Sequence, residues 1–187
     1  AIIALETLDE TILNKLPNLK VIGKYGVGLD KIDLVAMSKL NKRIGWKPGI
    51  NKRSVSELAL SFMISSLRKL RLCQSEILNG NFLQIQGQNL TNKTVGIIGC
   101  GHVGKDLVSL LKPFNCKILV YDILDYNDFY IDNDIKKSNL NELLINSDII
   151  TLHTPLTKKT YKLIGNEEIK LMKKNTILIN TARGGLV

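Results

Sequence analysis

The run Thr94-Val95-Gly96-Ile97-Ile98-Gly99-Cys100-Gly101-His102-Val103-Gly104 carries the strongest chemical signal in the chain. Three of its glycines stand at G-x-G-x-x-G spacing, between a β-branched run and an apolar pattern of helical period. Gly99 permits a tight turn out of a strand, Gly101 lets backbone approach a pyrophosphate, and Gly104 lets a helix pack close to a sheet. The start of that helix offers free backbone N–H groups to the anion, so His102 and Val103 line the site through their main chain. The spacing alone also turns up in chance loops. Here a strand precedes it, a helix follows it, and Asp122 closes the next strand 18 residues beyond Gly104. The Asp122 carboxylate suits the hydroxyls of an adenosine ribose and repels a 2′-phosphate. Ile123 and Leu124 supply no arginine to receive such a phosphate, which favours NAD over NADP. Without the glycines upstream, Asp122 would read as a solvated turn residue.

A second candidate, Arg183, follows the strand Thr176 to Asn180. A guanidinium is always charged and presents a planar fork of donors, so it can orient a carboxylate and stabilise negative charge growing on a neighbouring oxygen. A lone arginine after a strand fits a surface ion pair equally well, although the carboxyl end of a strand in an α/β sheet is where ligands bind.

The elements that must position these groups alternate. Ala1 to Leu5 reads as a strand, and Thr7-x-x-Glu10 as a capping box opening a helix that ends before Pro17. Leu19 to Lys24 reads as a strand, Asp33 to Leu40 as a helix and Arg43 to Lys47 as a strand stopped by Pro48-Gly49. Ser54-x-x-Glu57 reads as a second capping box, with Val55, Leu58, Ala59, Phe62, Met63, Leu67 and Leu70 at helical spacing in one long helix. Beyond the turn Asn79-Gly80-Asn81 come strands Thr94 to Ile98, Lys117 to Tyr121, Asp148 to Leu152 and Thr176 to Asn180, with helices Val103 to Leu111 and Leu140 to Ile145. These strands are almost continuously apolar, as in a parallel sheet covered on both faces.

Composition narrows the function classes. The 187 residues, 44% of them hydrophobic, suffice for one ordinary core or two small ones. The net charge of +9 comes mainly from lysines scattered along the chain, with no aromatics interleaved for base stacking, so no nucleic-acid partner is expected. The longest apolar run, Leu58 to Leu67, holds three serines and is too short to span a bilayer; no membrane partner and a cytoplasmic location are expected. Cys73, Cys100 and Cys116 are odd in number and widely spaced, which suits reduced thiols and no metal site. Ala1 at the start, and Val187 directly after a strand and turn, suggest a fragment.

At this point the sequence resembles the D-isomer-specific 2-hydroxyacid dehydrogenases over almost its whole length. The resemblance is carried by Gly23 to Asp30 with Ile32-Asp33-Leu34, by Ser54 to Ala59, by the glycine fingerprint, by His153-Thr154-Pro155-Leu156 and by Asn180 to Val187. The 3-phosphoglycerate dehydrogenase branch, with its place in serine biosynthesis, looks nearest. The resemblance implies a Rossmann-type doubly wound parallel sheet from residue 53 to 187. It also implies a smaller flavodoxin-like α/β substrate domain over 1 to 52, both domains being incomplete. It implies a homodimer formed with the first long helix of the coenzyme domain, and a small anionic 2-hydroxy or 2-oxo acid as substrate.

By motif match Arg183 binds the substrate carboxylate and carbonyl, Thr154 and Pro155 line the adenine end of the coenzyme, and Thr181 and Ala182 its nicotinamide end. His153 falls on the loop beside the coenzyme, so catalytic acid duty is not expected of it; the family's catalytic histidine and its glutamate partner lie downstream of Val187. Lys24 stands where relatives place a basic residue toward the substrate, in the segment Lys24-Tyr25-Gly26-Val27, and the Gly26 and Gly28 amides suit an anion. Where the family has threonine before Pro48 this chain has Lys47, which either contacts a phosphate or faces solvent. The expected activity is NAD-linked interconversion of a D-2-hydroxy acid and a 2-oxo acid. The alternative is an NAD-binding, corepressor-like scaffold of the same fold without turnover, which predicts a peptide groove and a nuclear setting. A relative of adenosylhomocysteine hydrolase shares the fingerprint, but Thr181-Ala182-Arg183-Gly184-Gly185 argues against it.

Overall fold

The computed structural model describes all 187 residues, which divide into two compact units, Ala1–Asn51 and Lys52–Val187. The first unit runs β1 (Ile2–Ile3), α1 (Glu10–Asn14), β2 (Val21–Lys24), α2 (Leu34–Lys39) and β3 (Arg43–Gly45). Its three strands are parallel in the order β1-β2-β3. Ile3, Leu13, Ile22, Ala36 and Met37 form its core. Buried Lys42 keeps its ammonium satisfied by donating to the Leu16 and Leu19 carbonyls at 2.7 and 3.0 Å.

The capping box expected at Thr7 does not form. Leu8 is held extended by donating to Lys31 O at 2.8 Å and accepting from Asp33 N at 2.9 Å, so α1 cannot begin until Asp9. The Asp9 carboxylate is the cap, accepting from Ile12 N at 2.9 Å.

The second unit opens with α3 (Lys52–Leu67) and α4 (Leu70–Leu78). It continues through β4 (Thr94–Ile98), α5 (His102–Leu111), β5 (Lys117–Tyr121), α6 (Asn127–Asp132) and β6 (Lys136–Lys137). The last elements are α7 (Leu140–Asn146), β7 (Ile149–Leu152), α8 (Asn166–Leu171) and β8 (Ile177–Asn180). Five parallel strands lie in the order β6-β5-β4-β7-β8. Side chains alternate across this sheet. Val95 and Ile97 of β4 point to one face, with Met63 of α3 and Leu107 of α5, while Ile98 points to the other, with Leu143 and Leu144 of α7. Both faces are therefore buried, which is why the strands lack polar alternation; each fully buried Leu or Ile contributes about 1.5–3 kcal/mol. Gly96 faces α7, where a Cβ would run into Leu143 and Ser147.

Two expectations for α3 are corrected. The helix begins at Lys52, so Ser54 lies inside its first turn and caps nothing; Arg53, bonded to Asp106 of α5 at 3.1 Å, extends the helix ahead of it. The single long helix is also broken after Leu67. Lys69 takes a left-handed backbone (φ 53°), and Gln88 N bonds to Leu67 O at 2.9 Å, where a longer α3 would need that carbonyl. Apolar spacing runs on through the break and so conceals it.

Candidate functional site

The strand order reverses at β4, whose successor β5 lies on one side while β7 lies on the other. A crevice therefore opens at the carboxyl ends of these strands. The chain leaves β4 through Gly99, whose φ of +98° is poorly accessible to other residues. Gly99 N donates to Tyr121 O at 2.9 Å, and His153 N donates to Ile98 O at 2.8 Å, fixing the turn between the ends of β5 and β7. A Cβ on Gly99 would lie 2.8 Å from the His153 carbonyl carbon and oxygen and 2.9 Å from Thr154 Cγ2. A Cβ on Gly104 would collide with Gly99 O, so α5 can sit this close only with glycine there. Gly101 is different: nothing lies within 4 Å of where its Cβ would be. It is the N-cap of α5 and offers no side chain to the first turn, where His102 is exposed and Val103 half-buried.

Asp122 follows β5 and faces this turn. Its carboxylate accepts from Cys100 N at 2.6 Å and from Leu124 N at 2.8 Å, which ties the glycine loop to the loop after β5. A cleft of about 740 Å³ opens beside it, with Gly99, Gly101, Asp122, His153, Thr154 and Pro155 in its wall. Ile123, Leu124 and Tyr126 complete one side, and Thr157, Lys159, Thr160 and Leu163 the other; sequence reasoning assigned none of these seven to the site. One signal was available in the sequence, the two large aliphatic residues Ile123 and Leu124 directly after the acid in a turn; the structure leaves Ile123 91% exposed, as an apolar ligand surface would be.

Burial holds the His153 ring well below the usual histidine value, at about 4, and its Nε2 lies 3.0 Å from Thr151 Oγ1. A neutral ring suits a wall residue better than a proton carrier. Burial pushes the Cys100 thiol up to about 11, opposed by Lys105 and reinforced by Asp122, which leaves the thiol inert. All three cysteines are free thiols. No group of three or more His, Cys, Asp or Glu side chains that could hold a metal ion is present. No helix is long and apolar enough to cross a membrane.

Thr181, Ala182 and Arg183 follow β8 and lie outside the lining of this cleft. Ala182 N donates to Asn180 Oδ1 at 3.0 Å and Asn180 Nδ2 to Arg183 O at 2.8 Å, a self-bonded turn that fixes the backbone of the arginine. Arg183 is half-buried, and its Nη1 donates to Ala182 O at 2.9 Å. The hydroxyls of Thr154 and Thr181 are buried without a hydrogen-bond partner. Such orphaned groups are costly unless a ligand satisfies them.

In the first unit, the Lys24 ammonium donates to the carbonyls of Ala4 and Tyr25 at 2.6 and 2.7 Å, Tyr25 is exposed, and Gly26 has a φ of +93°. Trp46 Nε1 donates to Val27 O at 3.1 Å, while Lys47 next to it is exposed.

The second unit's groups fit a dinucleotide such as NAD. The open cradle at Gly101 admits a pyrophosphate, Asp122 has acceptor capacity for ribose hydroxyls, Ile123, Leu124 and Pro155 offer apolar surface to a base, and two threonine hydroxyls await partners.

Comparison with known proteins agrees. Residues 60–187 match the family model described as D-isomer specific 2-hydroxyacid dehydrogenase, NAD binding domain. D-3-phosphoglycerate dehydrogenase of Methanocaldococcus jannaschii is 37% identical over 94% of this chain and 34% of its own length. Glyoxylate reductase of Thermococcus litoralis is 34% identical over 97% of this chain and 58% of its own length. Among solved structures, D-lactate dehydrogenase of Aquifex aeolicus complexed with NAD and lactic acid superposes with a TM-score of 0.89 at 33% identity, covering 100% of this chain and 57% of that one. The chain thus spans between a third and three fifths of the length of these relatives.

Proposed function

The chain belongs to the D-isomer specific 2-hydroxyacid dehydrogenase family, and from that premise we propose that its protein interconverts a D-2-hydroxy acid and a 2-oxo acid with NAD. The observation that carries the proposal is the cleft that joins Gly99, Gly101 and Asp122 to the His153-Thr154-Pro155 loop. Bound NAD supplies the hydride acceptor or donor. Asp122 holds the adenosine ribose and excludes a 2′-phosphate; Gly101, with the amides of His102, Val103 and Gly104, receives the pyrophosphate. Thr154 and Pro155 serve the adenine end, with the Thr154 hydroxyl finding its partner there. Thr181 and Ala182 serve the nicotinamide end.

Arg183 carries the substrate role. Its fork grips the carboxylate of the 2-oxo acid and stabilises charge developing on the carbonyl oxygen. On this reading residues 1–52 belong to the substrate domain and 53–187 to the coenzyme domain. Lys24, Tyr25, Gly26, Val27 and Lys47 face an anionic substrate, and an exposed lysine at position 47 favours a phosphate-bearing one of the 3-phosphoglycerate type, hence a role in serine biosynthesis. Relatives of comparable identity are named for 3-phosphoglycerate and for glyoxylate, so a substrate panel must decide. We also infer a homodimer. No residue of α4 is buried, and Leu70, Leu72, Ile77, Leu78, Phe82 and Leu83 stand exposed along and after it, an apolar surface suited to a second copy. A cytoplasmic location accords with three free thiols.

The test is NADH oxidation by the complete gene product against phosphohydroxypyruvate, hydroxypyruvate, glyoxylate and pyruvate, with Arg183→Ala alongside. Turnover on one acid, reduced at least a hundredfold by the substitution, is the expected result. Tight NADH binding without turnover on any of them refutes the dehydrogenase reading and supports a coenzyme-binding scaffold.

A further inference from the structure

Lys105 occupies an unfavourable place for a cation. It lies in the first turn of α5, where the helix dipole favours negative charge. No carboxylate pairs with it. Its Nζ instead sits 3.6 Å from the centroid of the Tyr126 ring and 5.1 Å from that of Phe129. Tyr126 in turn meets Tyr130 edge-on, with centroids 6.2 Å apart and planes at 89°, and it forms part of the cleft wall beside Asp122 and Leu124. The helix that would receive the pyrophosphate is thereby fastened, through one ammonium, to the loop that would receive the ribose. The loop is also tied to the glycine turn by the bond from Cys100 N to the Asp122 carboxylate, and Tyr126 and Phe129 pack against the apolar cluster that includes Cys100, Leu107 and Val108, so that Lys105 supplies the one cationic contact among these links.

We propose that Lys105 is a coenzyme-positioning residue: held against the faces of Tyr126 and Phe129, it keeps the Asp122–Tyr126 loop in register with the start of α5, so that ribose and pyrophosphate are held at once. The proposal rests on the coenzyme reading above. It makes the cation a fixed part of the adenosine half of the site. Lys105 also adds positive potential beside the pyrophosphate cradle, and its charge is near enough to Cys100 to oppose the effect of burial on that thiol.

The experiment measures Kd for NADH and for ADP-ribose, the adenosine half alone, on the complete protein and its Lys105→Met, Lys105→Arg and Tyr126→Leu variants, with thermal unfolding in parallel. Lys105→Met should weaken both ligands by the same factor, about three- to thirty-fold, with the unfolding midpoint unchanged. Lys105→Arg, which retains the stacked cation, should restore binding. Tyr126→Leu should weaken ADP-ribose similarly, and the double variant should lose little more, because the two residues act as one unit. Unchanged ADP-ribose affinity in Lys105→Met overturns the proposal while leaving the coenzyme reading intact, and so does a lowered midpoint that Arg fails to restore. A wild-type protein that binds neither ligand overturns both.

Discussion

Gly99 and Gly101 stand two residues apart in one loop, yet alanine at each should fail for a different reason. At Gly99 the backbone is at φ +98°, and a Cβ would lie 2.8 Å from the carbonyl of His153 and 2.9 Å from Thr154 Cγ2. The obstacle is largely backbone at the end of a central strand, held by the bond from His153 N to Ile98 O, so it cannot rotate away. The strained dihedral costs about 1–3 kcal/mol, and overpacking adds about 1–3 kcal/mol. For a protein of this size, roughly 2–6 kcal/mol lowers the unfolding midpoint by about 4–24 °C. At Gly101 nothing lies within 4 Å of the added methyl, and φ is −75°. Gly101→Ala should therefore melt within about two degrees of the parent, since substitutions that meet no packed group stay near ±0.5 kcal/mol. The methyl would, however, occupy the approach of a pyrophosphate, and NADH affinity should fall on the order of tenfold or more, about 1.4 kcal/mol. Differential scanning fluorimetry and NADH fluorescence titration on the two variants separate the effects. The reasoning is refuted if Gly99→Ala melts like the parent, or if Gly101→Ala binds NADH as tightly.

Asp122→Ser removes the charge that repels a 2′-phosphate, so the NADH-to-NADPH affinity ratio should fall by about 10–100-fold, measured by titrating both coenzymes. The His153 ring, held by burial at about 4, is neutral in the folded protein at pH 5.5 while the unfolded chain would already bind a proton there. Stability from this residue is present above the ordinary histidine value of 6.5 and is lost as pH falls toward 4, and the His153 ring resonance in NMR should show no titration between pH 8 and 5.5. Asp106 is buried and accepts from Ser56 Oγ and Arg53, so Asp106→Ala should destabilise by about 1–3 kcal/mol in urea unfolding with NADH affinity retained.

Legibility from sequence followed the range of the interactions. The strand, glycine turn, helix and acid from Thr94 to Asp122 could be read in order, because each rests on local conformation: β-branching, a backbone that only glycine adopts easily, and an unfilled helix start. Four of the five strands in the sheet were equally plain, since strands buried on both faces must be apolar throughout, whereas β6, two exposed lysines at the sheet edge, carried no such pattern and was not read. The caps at Thr7 and Ser54 could not be decided this way. Leu8 is drawn into an extended bridge with Ile32, and Arg53 reaches an aspartate 53 positions on, so partners distant in sequence moved both helix starts. The break at Lys69 was hidden for the same reason, being set by Gln88 on the Leu67 carbonyl. The sequence by itself determined the strand, glycine turn, helix start and following acid that a pyrophosphate cradle with a ribose acceptor requires. Only the tertiary structure decided what surrounds it: the strand order β6-β5-β4-β7-β8 carries His153 and Thr154 to Gly99, and the packing of α5 sets Lys105 against Tyr126. Those contacts join residues about twenty to fifty positions apart, and no periodicity in a chain encodes which of its distant apolar or charged groups will meet.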